Sequence, residues 1–327
     1  MKILIVSNQI KPDGEVGNPI LKRMGTSMCR DQRVEAVEYI SVKYTWSGLA
    51  AIREKAKTVD VCHVHFGGLY VLAVWLVLIG TSCQKIITFH GTDIHAKGID
   101  RAKGIKEKVK IRLNQWASFF SIVLFKRAGF VAAEMQRHLP MLLKKCYDKK
   151  MFIQQLGVDY QLFHPKTRTE ALLHLGLTDK HYILFSDISN ANIKRRDIAE
   201  AVVKEFNGKY DLLIMSKVLP EEVPFYIDVC DFLLLTSDEE GSPNIIRECL
   251  SLNKPVFSVD VGDVRQQLAG LHNSAIIERD PVIAAQQIRN KMSVEYTDNT
   301  RETRRNMLDF DYLNKATIDL YQQIIIK

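Results

Sequence analysis

Residues 66–83 run for 18 positions without a charged side chain, and no other feature restricts the fold of this chain as tightly. At about 1.5 Å per residue, the stretch 69–79 between Gly68 and Gly80 makes a helix of roughly 17 Å, well short of a hydrocarbon core of about 30 Å. It reads as a buried helix. Residues 59–66 before it and 85–90 after it alternate and branch like strands, so the segment is a strand, apolar helix, strand unit. Such a unit needs a parallel sheet covered on both faces.

The same style continues along the chain. Strands are expected near 2–6, 36–41, 60–65, 85–89 and 129–132, forming an open parallel sheet. Around 153–166 the pattern breaks, with Gly157 and Pro165 as punctuation, and this is the expected linker. A second series follows, with strands near 182–186, 211–215, 231–235 and 255–259, and a final helix over about 312–326. The class is α/β with two doubly wound, Rossmann-like domains, 1–161 (joined by a returning helix, 312–327) and 162–311. Ligands of such sheets bind beyond the carboxyl ends of the strands, so the expected site is an inter-domain cleft.

Charge is divided unevenly between the halves. Residues 1–165 hold 25 Lys/Arg against 13 Asp/Glu, and residues 166–327 hold 20 against 25. A +12 half calls for an anionic partner: nucleic acid, an acidic membrane surface or a phosphorylated substrate. The six cysteines are scattered without a C-x-x-C pair, which signals neither zinc nor a disulfide framework and fits a reducing cytosol. The apolar run Ile3 to Val6 is too short for an export signal and reads as a first strand.

The chemistry concentrates in residues 236–250. This segment follows a buried strand, turns at Gly241, and is expected to open a helix with Ser242 as N-cap and Pro243 at the first helical position. Free N–H groups at such a start, those of Ser242, Asn244 and Ile245 around Pro243, which has none, carry partial positive charge and suit a phosphate. Glu240 stands before the cap and Glu248 inside the helix, and an ionised carboxylate accepts two hydroxyl donors at once, as a ribose or hexose presents them.

This segment resembles the E-x7-E signature of family 4 retaining glycosyltransferases, with Glu240 and Glu248 as the glutamates and Gly241, Pro243 and Cys249 at the accompanying positions. The run Phe89, His90, Gly91, Thr92, Asp93 is similar to the family's H-G-[ST]-D loop. Residues 131–135, 156–165 and 258–263 are similar to further family segments in the same order. The resemblance implies the GT-B architecture and a nucleotide-diphosphate sugar, with uridine as the base by family analogy, as co-substrate. No metal and no other cofactor is then required. By the same resemblance Glu248 binds the ribose, Glu240 and residues 242–245 hold the sugar and phosphates, and His90 lies near the reacting sugar. Gly17, in a loop that taken alone is an ordinary surface loop, lets the backbone approach the diphosphate. The family's arginine after the strand at 182–186 is missing, since Asp187 or Ile188 occupies its place. Lys194 matches the family's lysine, with Arg195 or Arg196 as substitutes for the arginine.

The stretch 95–112 is rich in Lys and Arg and runs into an apolar segment at 116–125. Lys103, Lys106 and Lys110 suit an anionic bilayer, the side from which membrane-linked glycan or lipid acceptors approach in the family. A solvated basic face before a core helix accounts for the same pattern. The resemblance thus implies a cytoplasmic or peripheral membrane hexosyltransferase of surface-polysaccharide synthesis. The alternatives are a nucleotide-sugar epimerase or hydrolase on the same fold, or a non-catalytic nucleotide-sugar or anionic-lipid binder. His63 and His65 share a strand face without a third ligand nearby, and the D-x-D at Asp309 and Asp311 precedes the last helix, where capping explains it. The dinucleotide and P-loop glycine patterns do not occur, and aromatic platforms for nucleic acid are not apparent, so nucleic acid is not an expected partner.

Overall fold

The computed structural model describes residues 1–11, 17–43, 45–91, 93–94, 99, 102, 104–187, 192–293 and 299–326. Of the residues and stretches named above, Thr92, Lys103, Ile188, residues 95–98 and 100–101 of the basic stretch and residue 327 lie outside these. The chain forms two compact units, Met1–Leu156 with Phe310–Lys327, and Gly157–Asp309. The pairing of Val158 with Asp309 places the residues just after Leu156 in the second unit.

The first unit is built on six parallel strands: β1 (Lys2–Ser7), β2 (Ala36–Ser41), β3 (Val61–His65), β4 (Gln84–Phe89), β5 (Arg127–Phe130) and β6 (Met151–Ile153). Their spatial order is β2-β1-β3-β4-β5-β6. Alternate residues feed the two faces: Leu4, Val6, Val64 and Phe89 pack on one, Ile3, Ile5, Val61 and Ile86 on the other. The apolar helix forms at Leu69–Leu78, with Tyr70, Val71, Val74 and Leu78 buried. It is not enclosed on every side, because Leu76 is 60% exposed. The final helix runs Phe310–Ile325 and seats Phe310, Ile318, Tyr321 and Ile324 on the Ile3 face of the sheet. Asp311 lies within its first turn and pairs with Arg30 at 2.9 Å, while the Asp309 carboxylate meets Arg305 at 3.1 Å. The two halves of the D-x-D therefore enter separate ion pairs, one with Arg30 far along the chain and one with Arg305 four residues before.

The second unit repeats the plan with β7 (Tyr182–Ser186), β8 (Asp211–Met215), β9 (Phe232–Leu235), β10 (Val256–Ser258) and β11 (Ala275–Ile276), ordered β11-β10-β9-β7-β8. In each sheet the first strand sits between the second and the third, so strand order reverses at β1/β3 and at β7/β9. These are the places where open α/β sheets bind ligands. The strand expected at 129–132 ends at Phe130, and β6 and β11 were not expected, being three and two residues long, below the reach of a period-two pattern. Gly129 has a steric reason: a Cβ there would strike Thr88 Oγ1 and the Phe152 ring.

Candidate functional site

In the second unit the chain leaves β9 through buried Thr236 and Ser237 and reaches Glu240. The Thr236 hydroxyl lies 2.9 Å from the carbonyls of both Lys194 and Arg195, which ties the loop after β7 to the loop after β9. Lys194 Nζ donates to Glu240 Oε1 at 2.6 Å, and Ser237 Oγ donates to the same oxygen at 2.8 Å. The carboxylate thus faces an ammonium at the β7/β9 reversal.

The helix after this loop runs Asn244–Ser251 and its N-cap is Pro243, without a side-chain cap. The expected Ser242 cap does not form. Ser242 Oγ instead donates to Asp263 Oδ2 at 2.6 Å and accepts from Arg247 Nη2 at 2.5 Å. Proline at the cap position has no side-chain oxygen to offer the first turn, so the N–H groups at Asn244 and Ile245 stay uncapped by side chains. Asn244 Oδ1 is buried and has no hydrogen-bond partner among the described residues. Glu248, one turn on, is half-buried.

Behind the loop, Asp263 is a second anchor. It accepts from Arg247 at 3.2 Å and from Gln267 at 2.6 Å, and its N–H bonds Gly241 O at 3.2 Å. Burial pulls the Arg247 pKa down, opposed by Asp263. Gly262 has φ +59°, and a Cβ there would run into the Gly241 carbonyl. Neither Arg247 nor Asp263 was singled out in the sequence. Arg247 could have been found as a charged residue inside an otherwise apolar helix face, and Asp263 as the end of the 258–263 segment.

Of the two substitute arginines, Arg195 (φ 52°) pairs with Asp197 at 2.8 Å and Asp238 at 3.3 Å, whereas Arg196 pairs with Glu200 on its own helix at 2.7 Å. A third arginine joins this loop unannounced. Arg279 donates to Asp238 at 3.0 Å and to the Ser237 carbonyl at 3.0 Å.

In the first unit, His90 follows β4 beside the β1/β3 reversal. Its ring stacks on Phe66 (centroids 4.0 Å, 24°), and its Nε2 lies 3.0 Å from Nδ1 of His65. Phe66 has φ +70°, a strained conformation for a non-glycine residue. Asp93 clamps the turn: its carboxylate accepts from the N–H groups of Gly67 (2.8 Å), His90 (3.0 Å) and Gly91 (2.8 Å). Burial raises the Asp93 pKa against these bonds and lowers those of His63 and His90 to about 3. Three histidines therefore gather where the sequence reading saw two. Among the described residues no group of three or more His, Cys, Asp or Glu is arranged to hold a metal ion. Gly17 is exposed and precedes Asn18, whose Oδ1 caps the helix Pro19–Met28 by accepting from Ile20 N at 3.0 Å.

The basic helix begins at Ile105 and runs to Leu124. Ile105 (82%), Val109, Leu113, Trp116 (64%) and Phe120 (55%) stand exposed at spacings of four, four, three and four, which is one stripe. At about 100° per residue, Lys106 and Lys110 flank one side of this stripe and Lys108 and Arg112 the other. Its second half packs inward through Ala117, Ser118, Phe119, Ser121 and Ile122. Among the described residues no helix is long and apolar enough to cross a membrane.

No family model matches the sequence, and no curated protein matches it. Solved structures do. A sucrose-phosphate synthase from Thermosynechococcus elongatus is 13% identical with a TM-score of 0.71, over 99% of both chains. A glycosyltransferase from Rickettsia africae is 13% identical at 0.70, over 100% of this chain and 98% of that one. HepE from Anabaena, in complex with UDP and glucose, is 13% identical at 0.68, over 98% of this chain and 99% of that one. The chain has the α/β, GT-B fold of these glycosyltransferases.

Proposed function

We propose that the protein is a metal-independent, retaining glycosyltransferase that moves a sugar from a nucleotide-diphosphate sugar, with UDP as the nucleotide, to a hydroxyl of a membrane-linked glycan or lipid in surface-polysaccharide synthesis. The observation that carries this reading is the cluster of Lys194, Glu240 and Ser237 beside the uncapped start of the helix Asn244–Ser251. Cation, carboxylate and free N–H groups there match the phosphate and hydroxyl groups of such a donor. The UDP and glucose bound by HepE support the same donor class.

In this mechanism the bond between sugar C1 and the diphosphate oxygen breaks while the acceptor oxygen bonds C1 on the same face. The acceptor proton passes to the departing diphosphate, and no covalent sugar–enzyme intermediate forms. Lys194 and the N–H groups of Asn244 and Ile245 offset the charge that develops on the leaving group, the kind of preorganised electrostatics that dominates many such transfers. Glu240 holds sugar hydroxyls, Glu248 holds the ribose, and His90 serves the sugar, as the family resemblance implies. The exposed stripe of Ile105, Val109, Leu113, Trp116 and Phe120, bracketed by basic residues, suits a helix lying in an anionic membrane surface where the acceptor resides.

The test is a screen of UDP-, GDP- and ADP-sugars for thermal stabilisation, followed by transfer to a lipid-linked acceptor with and without chelator. A UDP-sugar should stabilise the protein, Glu248→Ala should abolish that, and the product anomer should match the donor. Loss of activity in chelator, or an inverted anomer, overturns the reading.

A further inference from the structure

His65, at the end of β3, is fully buried, and its two ring nitrogens have unequal surroundings. Nδ1 lies 3.0 Å from His90 Nε2, whereas Nε2 has no hydrogen-bond partner among the described residues. The neighbouring ring of His63, with its centroid 4.1 Å away, has all its bonds assigned elsewhere. Thr88 Oγ1 has one proton and donates it to Gln154 Oε1 at 2.6 Å. The 2.8 Å contact between His63 Nε2 and Thr88 Oγ1 must then be an N–H donated by His63. His63 Nδ1 is therefore a lone pair, and it accepts the Tyr321 hydroxyl at 2.5 Å.

His65 and His90 are neutral in this setting, because burial disfavours their charged forms. A neutral imidazole carries one N–H, so two arrangements are possible. If His90 Nε2–H donated to His65 Nδ1, the only proton of His65 would sit on Nε2, stranding a buried donor. If His65 Nδ1–H donates, Nε2 is left as a bare lone pair. Stranded buried N–H groups are rarer than under-used acceptors, so the second arrangement wins.

We infer that His65 is a positioning residue: its Nδ1–H donates to His90 Nε2 and holds His90 as the tautomer protonated at Nδ1, making that nitrogen a fixed donor toward an oxygen of the bound sugar. The Phe66 stack sets the plane of the ring, and His65 sets which edge carries the proton. The service to the sugar rests on the proposed function; the tautomer does not.

The two are separable by experiment. Long-range proton–nitrogen NMR on the ligand-free, histidine-labelled protein, with His90 assigned through His90→Gln, should show His90 protonated at Nδ1 and bare at Nε2. Protonation at Nε2 overturns the inference. His65→Leu should lower kcat by about tenfold while leaving the donor KM unchanged, and His65→Asn, whose amide N–H takes the place of Nδ1–H, should restore most of it. An equal loss in both variants, with melting temperatures unchanged, overturns the positioning role. If His65→Leu fails to fold, the wild-type spectrum still decides. Protonation at Nδ1 with unimpaired turnover in His65→Leu supports the tautomer and overturns the positioning role of His65 in transfer.

Discussion

Lys194 Nζ and Glu240 Oε1 meet at 2.6 Å with only 21% and 14% of their side chains exposed, so the cation and the carboxylate of the proposed donor site neutralise one another. A donor diphosphate must compete with Glu240 for this ammonium. Lys194→Ala should weaken UDP binding by roughly ten- to a hundredfold, the range of a lost charged hydrogen bond of about 1.5–3 kcal/mol. Glu240→Gln should do the opposite for UDP, strengthening it by about threefold or more, while transfer from a UDP-sugar falls. Titration calorimetry on the two variants separates these effects. UDP binding that is unchanged in Lys194→Ala would take this lysine out of the site.

The Gly262 backbone supports the same loop from behind. An alanine there must adopt φ near +59° and push its Cβ against Gly241 O. The conformation alone costs about 1 kcal/mol, and relief of the clash displaces Glu240 and Gly241. Gly262→Ala should therefore lose donor binding out of proportion to its drop in melting temperature. Proportionate losses would mean that the loop is not held in this way.

Asp93 joins the ends of β3 and β4 by accepting three backbone N–H groups. Asp93→Ala leaves all three without this partner and should destabilise the first unit by roughly 3 kcal/mol. Urea unfolding measures this, and a change below about 1 kcal/mol would show that water replaces the carboxylate at little cost.

His63 and His65 give stability a pH dependence with a definite sign. Both are fully buried and held neutral, with His63 lowered to about 3 and His65 lowered as well, by burial first. The unfolded chain takes up a proton on each near pH 6.5, and the folded chain does not. Their contribution is therefore complete above pH 6.5 and is lost as pH falls towards 3, by about 1.4 kcal/mol per pH unit for each histidine once well below 6.5. Urea midpoints at pH 7.5 and 5.0 should differ, and His63→Gln should flatten the difference. Equal midpoints in the wild type would refute the buried neutral pair.

The sheets were legible because buried parallel strands read as apolar runs, and 36–41, 182–186 and 211–215 match residue for residue. The proposed site was legible where it follows a chain-local pattern, as Glu240, Pro243 and Glu248 do. What escaped depends on distant partners. Ser242 looks like a cap from its neighbours, but Asp263 and Arg247 claim its hydroxyl. The His65–His90 pair joins residues 25 positions apart across two strands, and no period or spacing announces it.

Lys106 and Lys110 lie on one flank of the exposed apolar stripe, so their part in membrane binding can be tested apart from the stripe itself. Near an anionic surface each basic residue contributes about 1 kcal/mol, so reversing both to Glu should weaken binding to vesicles containing phosphatidylserine by roughly thirtyfold or more. Trp116→Ala should weaken binding to neutral and anionic vesicles alike, because it removes apolar area and no charge. Cosedimentation at two salt concentrations distinguishes the two losses: the lysine effect should shrink in high salt, and the tryptophan effect should persist. Vesicle binding untouched by either change would leave the basic flanks as a solvated face and move the acceptor surface elsewhere.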